Sequence, residues 1–311
     1  MAGHMGKYHF EKLDPRVLLA VNLVGSVLTI DGTDGDDSIV VAAHKRFVNI
    51  AVVGVNEDVT YIALSAFDQI NIAGGLGNDR ILVDGSLDAI GVEAYVDGGA
   101  GDDRISTTAA NDTILGGEGN DKIYGTGGKD VINGNSGNDT VYAGAGDDTV
   151  VGSAGNDRLM GEDDNDVIDG GKGNDFVDAG AGNDLLKSAD GVDEILAGDG
   201  NDGGKIRGPG TVRGGAGDDA LLATGGALLY GEDGNDNLQG AWIDGGAGND
   251  TLSGLAANDE IHGGDGDDVI RGFSGADVLL GDGGNDALYG GGDTDTLFGG
   301  EGNDNLYGTN G

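Results

Sequence analysis

The 311-residue chain has no cysteine, which excludes disulfide staples and thiolate metal sites. Its four histidines, His4, His9, His44 and His262, are scattered, so a zinc site is not expected. Only 2 prolines and 16 basic residues are present, the latter against 56 acids, for a formal charge of -40. Phosphate binding needs basic surface, so no nucleic-acid partner is expected. The charge asks for a cationic partner, and dissolved metal ions are the simplest. No apolar run reaches the roughly 18 residues that mark a membrane span. The best, VLLAVNLVGSVLTI at 17–30, carries Asn22, Gly25 and Ser26 and reads as one or two strands. The opening MAGHMG, residues 1–6, reads as a cloning remnant. Motifs of catalysis are missing too: there is no H-E-x-x-H, no G-x-S-x-G elbow and no phosphate-binding glycine loop in a strand–helix setting. We therefore read the chain as non-enzymatic.

What is abundant is glycine, 67 residues of it. Glycine is the residue most costly to order, and like charge at this density opposes compaction. Composition alone therefore describes an acidic disordered chain. The order of the residues argues otherwise. From Gly98 a nine-residue frame runs unbroken for twelve units over 98–205, as in GGEGNDKIY-GTGGKDVIN-GNSGNDTVY at 116–142. Its sixth position is always acidic: Asp103, Asp112, Asp121, Asp130, Asp139, Asp148, Asp157, Asp166, Asp175, Asp184, Asp193 and Asp202. Its eighth is apolar in eleven of the twelve, Ile105 to Ile195, and fails only at Gly204. A second frame of seven units covers 245–311, with Asp250, Asp259, Asp268, Asp277, Asp286, Asp295 and Asp304. Isolated copies at Gly32, Gly74, Gly214 and Gly231 add Asp37, Asp79, Asp219 and Asp236. A disordered chain has no reason to keep an acid and an apolar residue in register in this way.

The period predicts a shape. The six residues G-G-x-G-x-D are turn material, in which glycine permits positive φ and the Asn or Asp at position five tolerates it. The next three, such as Lys122-Ile123-Tyr124, form a short strand with its middle side chain inward. Two units of turn and strand close one coil of eighteen residues. The expected fold is all-β: a right-handed parallel β-roll or β-helix solenoid with two short-stranded parallel sheets. Its twelve coils from Gly98 would make a rod of roughly 58 Å. Over 206–244 the segments IRGPGTVR, ATGGALLY and GAWID each supply a strand and a shortened turn without an acid, alternating with intact units. The acid-bearing loop is thus lost three times running on one side of the rod and never on the other. Residues 7–97 are less regular, with strand-like runs at 47–55, 59–64 and 69–73, and read as longer-stranded coils that begin and cap the solenoid.

The repeated acid has a chemistry. Carboxylate and carbonyl oxygens are hard ligands, and Ca²⁺ accepts 6–8 of them in flexible geometry, whereas Mg²⁺ demands small octahedral cages. One loop offers too few oxygens; two loops stacked eighteen residues apart offer enough. Asp121 is therefore expected to share an ion with Asp139, and Asp130 with Asp148. Counting stacked pairs gives eleven gaps in one row, five and two in the other, and one between the loops at Gly74 and Gly98, about nineteen Ca²⁺ sites.

The pattern G-G-x-G-x-D-x-U-x, with U apolar, resembles the RTX or haemolysin-type calcium-binding repeat. The stretches at 74–82 (GGLGNDRIL), 116–124, 170–178 (GGKGNDFVD) and 299–307 (GGEGNDNLY) match it in full, and the likeness covers about two-thirds of the chain. The resemblance implies a parallel β-roll holding Ca²⁺ between successive turns, bacterial origin and export to calcium-rich surroundings. Ala110, Ala257, Asp164 and Asp293 stand where the fourth-position glycine is expected, and sites there are expected to be weakened or re-formed. LDPRVLLA at 13–20 is similar to a short motif near the start of some large exported bacterial repeat proteins, with an ordinary strand as the alternative.

Three roles stay open: a surface or adhesion module, a non-catalytic companion of a polysaccharide epimerase or lyase, and a filament subunit built by head-to-tail stacking. A cell-surface glycan and self-association are the corresponding partners. Trp242 and Tyr230, near Arg207 and Arg213, could form a glycan patch, but Trp242 is read as packing into a locally widened core. The position-nine tyrosines Tyr124, Tyr142, Tyr289 and Tyr307 are expected to face outward.

Overall fold

The computed structural model describes residues 20–44, 47–52, 59–63 and 67–308. The opening six residues and all of LDPRVLLA except Ala20 lie outside them. One coil shows the local rule. In Lys122–Gly127 the residues alternate outward and inward, which puts Ile123 fully inside; Val131–Ser136 does the same with Ile132. Strands two apart in sequence pair in parallel, so Ile114 lies beside Ile132 in one sheet and Ile123 beside Val141 in the other. Two sixteen-stranded sheets result, facing each other across the thin apolar ladder of position-eight side chains.

Six residues is the commonest strand length, where a three-residue strand was expected. Positions one to three of the next repeat stay in the ladder, with Gly117 beside Asn135 and Glu118 beside Ser136. The true turn is only positions four to six. At Gly116 position one is buried without a side chain, and a Cβ there would run into the Asp121 carboxylate and approach the Gly134 carbonyl oxygen to 2.7 Å.

The interruption obeys the two-sided rule. The first sheet continues through Gly203–Ile206, Ala220–Ala223 and Asn237–Gln239, and the second through Gly210–Ala216, Ala227–Asp233 and Trp242–Ala247. Gly204 fails the apolar rule because its place is taken: a Cβ there would lie 2.8 Å from the Leu186 carbonyl oxygen and 3.3 Å from a Leu221 methyl. Trp242 corrects the sequence reading. The inward residue is its neighbour Ile243, which is fully buried, while Trp242 lies outside beside the exposed Leu228. Its ring packs 5.0 Å from Tyr230 and 6.0 Å from His262.

Toward the N-terminus, Val27–Asp31 and Gln69–Leu76 continue the first sheet and Ser38–His44 and Arg80–Val83 the second. Antiparallel strands flank them: Ala20–Val24 on the first sheet, and Phe47–Val52 with Val59–Ala63 on the second. The segment after Val83 forms a 3-10 turn, Gly85–Ile90, that buries Leu87 and carries no acid loop.

A single aliphatic side chain per nine residues makes position eight sensitive. Ile123→Ala is expected to destabilise the folded rod by about 2–5 kcal/mol, against at most about 1 kcal/mol for the outward Tyr124→Ala. Urea midpoints measured in excess calcium check this; equal shifts would refute the assignment of faces.

Candidate metal centre

Loop 116–121 is representative. Gly119 has φ +122, and a Cβ there would collide with the carbonyl oxygen of Gly101 in the loop stacked before it. The glycines thus allow bare backbone carbonyls to be packed between loops. Asp121 closes the turn, and its backbone N–H donates to Oδ1 of Asp139, eighteen residues on, at 2.8 Å. This bond recurs along the rod. One row runs Asp37, Asp79, Asp103, Asp121, Asp139, Asp157, Asp175 and Asp193, each N–H donating to the next carboxylate at 2.7–2.9 Å. It resumes with Asp259, Asp277 and Asp295. The other row is continuous: Asp112, Asp130, Asp148, Asp166, Asp184, Asp202, Asp219, Asp236, Asp250, Asp268, Asp286 and Asp304. The spacing in that row shrinks to 17, 17 and 14 residues where the opposite loops are shortened, yet the bond persists. Every acid singled out in the sequence lies in these two rows. The pairing of Asp37 with Asp79 was not expected, because 42 residues and an antiparallel excursion separate them.

Each carboxylate is only half used. Among the described residues, seventeen aspartates have an Oδ2 that is buried and without a hydrogen-bond partner. Burial pushes their carboxyls up: Asp130 to about 8, Asp166, Asp219 and Asp268 to about 7, and Asp121 and Asp139 to about 6. The largest cause is loss of water, with neighbouring aspartate charges adding to it and the backbone N–H bonds opposing it. A buried carboxylate without a counter-charge must take up a proton or a cation. No group of three or more His, Cys, Asp or Glu side chains converges among the described residues, so any ion must draw most of its ligands from the backbone. Between loops 116–121 and 134–139 those oxygens are present: Asp121 Oδ2, the Gly134 carbonyl it faces across Gly116, the Asp139 carboxylate, and the Gly119 carbonyl aimed at Gly137. An all-oxygen, carbonyl-rich set suits Ca²⁺.

Three loops differ: two begin the rows and the third restarts the first row after its interruption. In Asp37, Asp112 and Asp259, Oδ2 accepts the N–H of its own loop's second residue: Thr33 at 2.6 Å, Thr108 at 3.1 Å and Leu255 at 2.6 Å. Their fourth residues, Gly35, Ala110 and Ala257, are not left-handed, whereas Asp164 (φ 76) and Asp293 (φ 71) are. The four departures noted in the sequence therefore fall into two kinds: two keep the ordinary loop and two replace it with a self-closed turn. Where the first row stops, Ser188 Oγ donates to Oδ2 of Asp193, and the Asp193 N–H finds the Pro209 carbonyl at 3.1 Å in place of a carboxylate.

Position five needs a correction. The sequence suggests that its Asn or Asp tolerates positive φ, yet among the described residues none of the nine left-handed non-glycine residues occupies it. Its side-chain Oδ1 instead accepts the position-five N–H of the following loop, as in Asn138 to Asn120 at 2.8 Å and Asn156 to Asn138 at 2.7 Å. The eighteen-residue recurrence of Asn and Asp was the available signal.

A family model for the RTX calcium-binding nonapeptide repeat, in four-copy units, matches residues 97–132, 124–159, 151–186, 177–203, 244–279 and 271–306. No curated protein matches the chain.

The raised carboxyls set a pH dependence for the metal-free chain. Their folded pKa values lie above the unfolded value of roughly 3.9, so the folded state holds more protons. Its stability from these groups is full below about pH 4 and falls as pH rises through 6–8. Far-UV circular dichroism in chelator should show β structure shrinking over that window; an unchanged β spectrum at pH 8 would refute it.

Proposed function

Given that the chain belongs to the family of RTX calcium-binding nonapeptide repeats, we propose that it is a calcium-folded structural module that works in calcium-rich surroundings outside the cell, in a surface or adhesive role. The calcium-binding repeat character follows from the family, whose repeats are in general structural and non-catalytic. The observation that supports folding on calcium is the set of seventeen buried, unpartnered Oδ2 atoms. Each belongs to the earlier member of a stacked pair of acid loops, so each marks one gap between loops. Bound Ca²⁺ would supply the positive charge these oxygens lack. The chain's own part is to hold the two carboxylates and the intervening carbonyls in register, through the Asp N–H to Oδ1 bonds and the apolar ladder.

The same observation lowers the expected number of ions. Pairing alone gives about nineteen, and Asp37 with Asp79 adds another. Three gaps, however, those after Asp37, Asp112 and Asp259, have their earlier carboxylate engaged within its own loop, which leaves seventeen. Metal binding to such a chain is also folding energy, because the loops order only when stacked. An affinity per site near the roughly 10⁻⁴–10⁻³ M of extracellular modules would keep the chain unfolded in a cytosol and fold it after export.

Calcium titration followed by circular dichroism and by equilibrium dialysis tests this. The wild type should gain β structure cooperatively and bind about seventeen ions. Asp130→Asn should lose bound calcium and shift the folding midpoint to higher calcium, by about threefold or more, whereas Asp112→Asn should leave the bound count unchanged. Equal losses from both, or no calcium requirement at all, would overturn the reading.

A further inference from the structure

The outer face of the second sheet carries a patch at odds with the rest of the molecule. Over five successive coils its strands Arg80–Val83, Arg104–Ser106, Lys122–Gly127, Thr140–Ala145 and Arg158–Asp163 present ten residues at the seventh and ninth positions, and none is acidic. The whole chain has 56 acids and 16 bases. Four of those bases, Arg80, Arg104, Lys122 and Arg158, stand at position seven, the first three directly beside one another in register. Like charges opposite each other in a sheet are destabilising. An acid at any neighbouring position would have relieved them, and among the described residues no carboxylate pairs with any of the four. Arg213, farther along the same face, is paired with Glu232 at 2.8 Å.

These cations are also held in place. The Arg104 guanidinium lies 4.8 Å over the Tyr124 ring and that of Arg158 4.1 Å over Phe176. Lys122 sits 5.4 and 5.5 Å from the rings of Tyr124 and Tyr142, which stack on each other at 5.0 Å. The Lys122 ammonium, followed by the charge of Arg104, holds the Tyr124 phenol below its usual range. Stacking on a ring fixes a guanidinium plane and leaves its N–H edge free to bind a carboxylate.

We infer that this strip binds an extended acidic polysaccharide carrying one carboxylate per sugar. Its cations recur with the coil, roughly every 4.8 Å, a repeat that an extended glycan matches at one sugar per coil. Single-stranded nucleic acid fits less well. It binds by stacking bases on free aromatic faces, and Tyr124 has Arg104 and Tyr142 against its ring. The inference rests on the calcium reading in one respect: a formal charge of -40 would repel a polyanion until bound cations offset it.

The test is isothermal titration of the full chain in excess Ca²⁺ with a galacturonic acid hexamer, with maltohexaose as the neutral probe and circular dichroism of every sample. Saturable binding of the uronate alone is expected. Arg104→Gln/Lys122→Gln should weaken it at least about tenfold, Arg80→Gln less but in the same direction, and added NaCl should weaken it further. Lys187→Gln/Lys205→Gln, the same charge change on the opposite sheet, should leave it within about twofold. No binding by a chain with a full β spectrum, equal binding by the Arg104→Gln/Lys122→Gln variant, or equal binding of maltohexaose would overturn the inference. Uronate binding by a chain that stays β-folded in chelator would support the strip and overturn the calcium reading instead.

Discussion

Everything in this rod depends on a divided carboxylate. In seventeen of the acid loops Oδ1 accepts a backbone N–H from the loop stacked before it, and Oδ2 is left buried without a donor. The first oxygen gives geometry, since it sets the loop-to-loop register at the edge of the sheets. The second gives dependence, since a desolvated carboxylate oxygen without a partner cannot stay charged unaided. Ile123 and its counterparts fill the space between the sheets, but a core one side chain thick is little against the ordering of so many glycines. The apolar ladder therefore selects which way each strand faces, and the acid loops decide whether the coil closes.

The two ladders at each turn run in opposite directions. Position six takes its hydrogen bond from the preceding loop, and position five takes one from the following loop. A pair of loops is thus tied twice, once in the buried layer and once at the surface, with the donor on a different loop each time. This explains a feature that local conformational preference does not, namely the Asn or Asp before nearly every position-six Asp. It also explains why Val192 and Lys129 are tolerated there. Each still donates its N–H to the loop before it, Val192 to Asn174 and Lys129 to Asn111, and only the acceptor is lost.

Much of this was legible in the sequence because it follows from period. The nine-residue frame dictates alternate sides, the eighteen-residue coil dictates which aspartates stack, and the shortened segments at 206–244 had to lose loops on one side only. What escaped the sequence depends on contacts between coils. Position five was assigned to turn conformation because a single repeat shows no neighbour above it. Trp242 reads from the sequence as filling a locally widened core, while the parity of the strand, with Ile243 inward, decides otherwise. The self-closed turns at Asp112 and Asp259 carry a visible mark, alanine at position four, but only the backbone shows that it redirects an N–H onto the carboxylate.

Those self-closed loops also mark where each row can begin. Ordinarily an acid loop has its Asp Oδ1 satisfied by the loop before it; a row's first loop has no such acid loop to call on. Asp112 uses the Ala94 N–H from the segment after the 3-10 turn, and its Oδ2 bonds within the loop. Asp259 follows the three shortened turns and is likewise closed by its own Leu255. Coupling in a stack of this kind passes between nearest neighbours. The first row is therefore broken between Asp193 and Asp259, ended by Ser188 and Pro209 and restarted by a self-sufficient loop. The second row crosses the same zone with every Asp-to-Asp bond intact. Both sheets and the apolar ladder between them also cross the interruption unbroken, so what the second row alone carries across it is the contact from acid loop to acid loop.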